Sequence, residues 1–204
     1  MNTINLRALA CICLIIVCPS LSLGQEMIKY ESLNEPKAKG IHLSISYPSD
    51  WKAEPGERAN IVQRFTSEQG RGLEVVTVMV KDIPLPPNTR IEKSDIDEIF
   101  SAEGLSAFIP KGGKAIKLSE TKIDGERAGY VYYIAPFEKA NMQLITKAEL
   151  YIIFYKSKFI IFTFSAGRLK GEGEGPKLAK QFENAQPIFQ RMAVSIVLND
   201  KWKK

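Results

Sequence analysis

Apolar Ile41, Leu43, Ile45 and Tyr47 alternate with His42, Ser44 and Ser46, and a period of two predicts a strand with one buried face. Pro48, Ser49 and Asp50 break it, and Trp51 follows as a core or lid aromatic. A second strand is read over 61–65 and, after a turn over 68–72, a third over 73–80. Strand, turn and strand in that order predict antiparallel pairing. Residues 25–39, ahead of the first strand, are polar without such a pattern and are expected to form a flexible lead.

Pro84, Pro86 and Pro87 remove backbone donors and fix φ, so 82–90 is expected to be an extended connector. A helix follows, with Ser94 as N-cap and Asp95, Asp97 and Glu98 complementing its positive end. Ile96, Ile99, Phe100, Leu105 and Phe108 give it one apolar stripe until Pro110 and Gly112-Gly113 stop it. Asp124-Gly125, between 116–123 and 128–135, is a hairpin signal, and Lys156-Ser157 marks a second between 150–155 and 159–164.

The strands of that second hairpin are apolar on both faces, which places them at mid-sheet with cover on each side. One cover is the Ser94 helix. The other is a C-terminal helix over 176–185 with Leu178, Phe182 and Ala185 inward. Pro187 is expected to kink that helix or begin another turn over 188–192, and 195–198 to close as a short strand. No internal repeat or linker divides the chain. The expectation is an α+β fold: one domain over 40–204, an antiparallel sheet with helices on both faces in an α/β/α sandwich.

The first residues add a compartment. A single charge at Arg7, an apolar run over 8–17 and small, turn-forming residues up to Gly24 have the order of a cleavable signal peptide over 1–24. An apolar run of about ten residues is roughly 15 Å of helix, half of what a spanning helix needs. Ser22 and Gly24 suit the signal peptidase, which places the cut between Gly24 and Gln25. Cys11, Cys13 and Cys18 all lie in the removed segment, leaving neither disulfide nor thiolate site. Lipidation at Cys18 is the rival reading, opposed by Ile15, Ile16 and Val17 before it and Pro19 after it. The product is expected in the periplasm or the medium, with no transmembrane span.

The chain carries 28 basic and 23 acidic residues, a mild and dispersed excess that does not point to nucleic acid. Its dense cluster, Lys201, Trp202, Lys203 and Lys204, reads as a solvated terminus. His42 is the only histidine, so zinc or copper sites built from several His or Cys ligands are excluded and a Ser-His-Asp triad has one candidate base. Its place on the polar phase of an edge-like strand makes it a surface histidine. Neither Asp95, Asp97 and Glu98 nor Asp124 and Glu126 has calcium-loop spacing. The glycine-rich stretch 167–177 follows a strand and precedes a helix, as phosphate-cradling loops do, but lacks their spacing, and Glu172 and Glu174 would repel phosphate. It reads as a flexible connector, and 84–87 as a spacer rather than a polyproline ligand. No cofactor is expected.

Three segments carry a family resemblance. Residues 40–51 (GIHLSISYPSDW), 123–133 (IDGERAGYVYY) and 182–197, through Pro187-Ile-Phe189, resemble the opening strand, glycine-turned hairpin and closing helix and strand of the PsbP-like superfamily. That group includes the PsbP subunit of photosystem II, the Ran-binding Mog protein of yeast and the bacterial DcrB group. The resemblance implies an antiparallel sheet with helices on both faces and a non-enzymatic binding or assembly role. It carries over no functional residue.

The resulting expectation is an exported, non-catalytic accessory or binding protein of the cell envelope, with a protein or envelope component as partner. Two alternatives stay open. A small-ligand carrier would show an enclosed apolar pocket between sheet and helix. A carboxylate-based hydrolase would show a deep acid-lined cleft with a raised carboxyl pKa.

Overall fold

The computed structural model describes residues 25–67, 74–83, 91–139, 142–171 and 175–203. The expected signal peptide over 1–24, the turn over 68–72, most of the proline connector, Glu172 to Glu174 and Lys204 lie outside the described residues.

Seven strands form one antiparallel sheet: β3 (Trp51–Pro55), β4 (Ile61–Ser67), β5 (Glu74–Asp82), β6 (Lys114–Ile123), β7 (Glu126–Lys139), β8 (Met142–Tyr155) and β9 (Lys158–Leu169). Their spatial order is β3-β4-β5-β9-β8-β7-β6. The strands expected at mid-sheet, β8 and β9, are interior, and Ile152, Ile153, Ile160, Phe162 and Phe164 are fully buried. Both expected hairpins form. Asp124 and Gly125 take φ of 49° and 77°, and Lys156 and Ser157 take 48° and 57°, positive at both central positions as a tight hairpin of the right twist requires.

The two faces of the sheet have separate covers. Helix α3 (Pro176–Val194) lays Leu178, Phe182, Ala185, Phe189 and Met192 on one face, against Val76, Val78, Phe162 and Phe164. Phe182 lies 5.5 Å from Tyr132 and 5.7 Å from Phe189, centroid to centroid. On the other face α1 (Lys93–Ile99) and α2 (Ala102–Ser106) bring Phe100 and Leu105 onto Val131, Tyr133, Leu150 and Ile161. Gly129 of β7 makes room for them: a Cβ there would overlap Leu105 Cδ2 and press on Phe100.

Several local expectations are corrected. Met27–Glu31, in the segment read as a flexible lead, is strand β1, paired antiparallel with β2 (Ser44–Pro48) in a two-stranded ribbon apart from the main sheet. Between them, buried Ser32 closes the loop by donating to the Ile41 carbonyl at 2.8 Å and accepting from the Leu43 N–H at 3.0 Å. The segment following Trp51 is a further strand, β3, on the sheet edge, with Trp51 buried.

The helix expected from Ser94 to Phe108 is two short ones, because Ser101 adopts an extended backbone and its Oγ accepts from the Gly104 N–H at 3.1 Å. The first starts at Glu92, whose N–H donates to Asp95 at 2.8 Å, so Ser94 lies inside it and is not its cap. Helix α3 runs through Pro187. An interior proline costs about 3 kcal/mol, but burying each large side chain contributes about 1.5–3 kcal/mol, and Phe182, Phe189 and Met192 flank it. Residues 195–198 make one bridge, Ser44 with Val197, rather than a strand, since the Ser46 N–H is taken by Ser195 Oγ at 2.8 Å.

Candidate functional site

Along β5, Val76, Val78 and Val80 point into the core beneath α3, and Glu74 sits in the same phase, 92 % buried by residue area (8 % exposed). It opposes Ala166 of β9, and Arg168 follows two positions on, on the same face. The start of α3 passes over this end of the sheet carrying Lys177, Lys180, Gln181 and Asn184. With Gln25, Asp50, Trp51 and Ser67 these groups line an open cleft of about 730 Å³.

Gln181 joins the two charges at its floor. Its amide nitrogen donates to Glu74 Oε1 at 2.6 Å, and its amide oxygen accepts from Arg168 Nη1 at 3.4 Å. Glu74 Oε2 and Arg168 Nε are buried with no hydrogen-bond partner. Each unsatisfied buried group costs about 1–3 kcal/mol, so both require an explanation. Among the described residues none of Glu74, Arg168, Lys177 and Lys180 forms an ion pair. Elsewhere opposite charges find one another, as Arg127 does with Asp97 and Glu120, and Arg64 with Glu54. Gln25, expected to follow the cut, sits at the rim, its amide donating to Asp50 and its carbonyl accepting from Arg191 at 3.1 Å.

A second buried acid lies under the middle of α3. Glu149 of β8 is 4 % exposed, accepts from Tyr130, and receives the Gln186 amide at 3.5 Å. Burial pushes its carboxyl above the ordinary range, against the pull of Tyr130, Gln186, Lys147 and Lys117. Burial, with Glu149 adding to it, pushes the Tyr151 hydroxyl up to about 12 and moves Tyr130 in the same direction. A raised carboxyl is therefore present, but Glu149 does not line the cleft. A smaller groove of about 460 Å³, lined by Asp95, Glu98, Phe108 and Phe159 among others, lies on the opposite face.

Of the residues weighed in the sequence, Gln25, Trp51 and, from the stretch 167–177, Arg168 and Lys177 line the cleft; the other candidate site residues lie elsewhere. His42 is not a surface histidine: its side chain is 14 % exposed, with Nε2 at 3.4 Å from Glu31 and Nδ1 buried without a partner. Of the basic tail, Trp202 and Lys203 are exposed, as a solvated terminus requires, while Lys201 is held. Lys201 donates to the Asp124 carbonyl and pairs with Glu126, both at 2.7 Å, and the Trp202 indole donates to Asp124 at 3.1 Å. Asp95 caps α1 and Asp97 pairs with Arg127. Gly167 lies within β9, paired with Thr146. Among the described residues, no group of three His, Cys, Asp or Glu side chains could hold a metal ion, and no helix is long and apolar enough to cross a membrane. Sequence reasoning missed Glu74 and Glu149, although each falls on the inward phase of an apolar strand.

No protein-family model and no curated protein matches the chain. Solved structures do. Cyanobacterial PsbP from Synechocystis is 14 % identical, with a TM-score of 0.48 over 89 % of this chain and 96 % of its own. LpqN of Mycobacterium tuberculosis, involved in cell envelope biogenesis, is 12 % identical at 0.48 over 84 % and 91 %. The Ran-binding protein Mog1p of Saccharomyces cerevisiae is 11 % identical at 0.48 over 86 % and 96 %. PsbP and the yeast Ran-binding protein are among those named by the sequence resemblance, and the α+β sheet with helices on both faces is the architecture expected from it. Identity at this level carries no residue-by-residue correspondence.

Proposed function

We propose that this chain is an exported, non-catalytic binding protein that takes up a component of the cell envelope in the cleft between the start of α3 and the sheet. The observation that carries the reading is the convergence of Glu74, Arg168, Lys177 and Lys180 on one open cleft without ion pairing among themselves. Charged groups left unpaired at a concave surface are a recognition set. The non-catalytic half is supported by the absence of His42 from the cleft lining and by the position of Glu149, the acid with the raised pKa, beneath the helix. Export rests on the order of charge, apolar run and small residues over 1–24. A cut before Gln25 would leave the new terminus at the rim of the cleft.

The test has two parts. The full 204-residue chain, expressed in a two-membrane bacterium, should appear in the periplasm or medium with a mass beginning at Gln25; retention in the cytoplasm at full mass refutes export. The exported form, immobilised and passed over envelope extract, should retain a component that the Lys177→Glu/Lys180→Glu variant releases. Equal retention by both would remove the cleft from the reading.

A further inference from the structure

The cleft holds opposite charges that have been kept apart. Glu74 and Arg168 stand on adjacent antiparallel strands, two positions out of direct register, which sets them roughly 7–8 Å apart, and their Cβ atoms somewhat less. At that spacing a flexible arginine and a glutamate ordinarily close into a bidentate pair. Here Gln181 stands between them, giving its N–H to the carboxylate and its C=O to the guanidinium. The amide satisfies one atom of each and leaves Glu74 Oε2 and Arg168 Nε without partners. Lys177 and Lys180 on the covering helix add exposed cations at the mouth, and Asp50 adds an acid at the rim.

An anion alone would meet the lysines and leave Glu74 unsatisfied, with the carboxylate repelling it. A simple cation would meet Glu74 and be repelled by three bases. A molecule carrying both signs a few ångströms apart suits both ends of the Glu74–Gln181–Arg168 chain. Resting on the cleft as the binding site, we propose that its ligand is a small zwitterion, a free amino acid or short peptide. Its ammonium turns toward Glu74 and its carboxylate toward Arg168 and the two lysines. The side-chain amides of Gln181 and Asn184 offer both donors and acceptors to a peptide backbone. The cleft lies within the volume range of small-molecule sites, larger than one amino acid requires, which favours a peptide of a few residues.

The experiment is calorimetry on the exported chain with three probes: triglycine, N-acetyl-triglycine and triglycine amide. The expected result is binding of triglycine with at least a tenfold loss on blocking either end. Glu74→Gln should abolish discrimination against the acetylated probe, and Arg168→Met discrimination against the amide. Equal affinities for the three probes, or no binding of triglycine at millimolar concentration, overturn the proposal. Because the three probes are compared on unaltered protein, a variant that fails to fold does not spare it. If triglycine fails while Lys177→Glu/Lys180→Glu still releases an envelope component, the zwitterion is wrong and the cleft stands. If retention is also unaffected, both fall.

Discussion

Glu74 and Glu149 are the same residue on interior strands of the same sheet, on the same face and under the same helix, yet they do opposite things. Glu149 lies where α3 closes the sheet, with Gln186 reaching it from the helix and Tyr130 beside it, and both donate to its carboxyl. Glu74 lies where the covering helix is only beginning, and one oxygen is left over. The difference is in the roof, not in the acid. A carboxylate on the inward phase of a strand becomes structural where a helix seals it and available where the helix ends.

The most severe way to break this contrast is to lift the roof. Phe182 is fully buried between Tyr132 and Phe189, and Phe182→Ala is expected to cost about 3–5 kcal/mol, read as a lower midpoint in urea at unchanged slope. Loss of α3 docking would admit water to both acids, so triglycine binding should weaken along with stability. A stability within about 0.5 kcal/mol of the parent, the scale of an exposed substitution, would mean that α3 does not hold the face closed.

A milder substitution on the other face serves as the control. Gly129→Ala drives a methyl into Leu105 and Phe100, and overpacking of this kind costs about 1–3 kcal/mol. Since α1 and α2 contribute no residue to the cleft, triglycine affinity below the unfolding transition should be unchanged. If it falls together with stability, the two faces are coupled and the cleft cannot be treated as a property of α3 and its end of the sheet.

What the sequence discloses of this arrangement follows burial. The β8 and β9 runs, the Asp124-Gly125 and Lys156-Ser157 turns and the inward stripe of α3 are legible because each is dictated by a covered face or by a positive φ. β1 and β3 are not, since Met27–Glu31 and Trp51–Pro55 bury little besides Trp51 and take their shape from pairing with the strands that follow them, β2 and β4. The far half of the β7–β8 hairpin is hidden for a related reason. Beyond Ile134 strand β7 has no β6 neighbour, so Pro136 is tolerated and Phe137 is exposed. The cleft draws residues from six separate stretches of chain, and no spacing rule joins them. Glu74 in step with Val76, Val78 and Val80, and Glu149 in step with Tyr151 and Ile153, were the marks available: an acid where the strand period demands an apolar residue.

The smallest effect expected is the most specific to the contrast. Burial holds the Glu149 carboxyl above its ordinary value in the folded chain, so the native state binds that proton more tightly than the unfolded state. The stability it contributes is complete below the unfolded carboxyl pKa, about 4.3, and is lost as pH rises through the folded value. Gln at this position keeps the shape of the protonated acid. Glu149→Gln should therefore unfold at a higher temperature than the parent at pH 8, with the gap closing toward pH 4, while triglycine binding stays as it was. Parallel curves across that range would show that Glu149 ionises as freely as a surface acid, and the sealed roof over it would have to be given up.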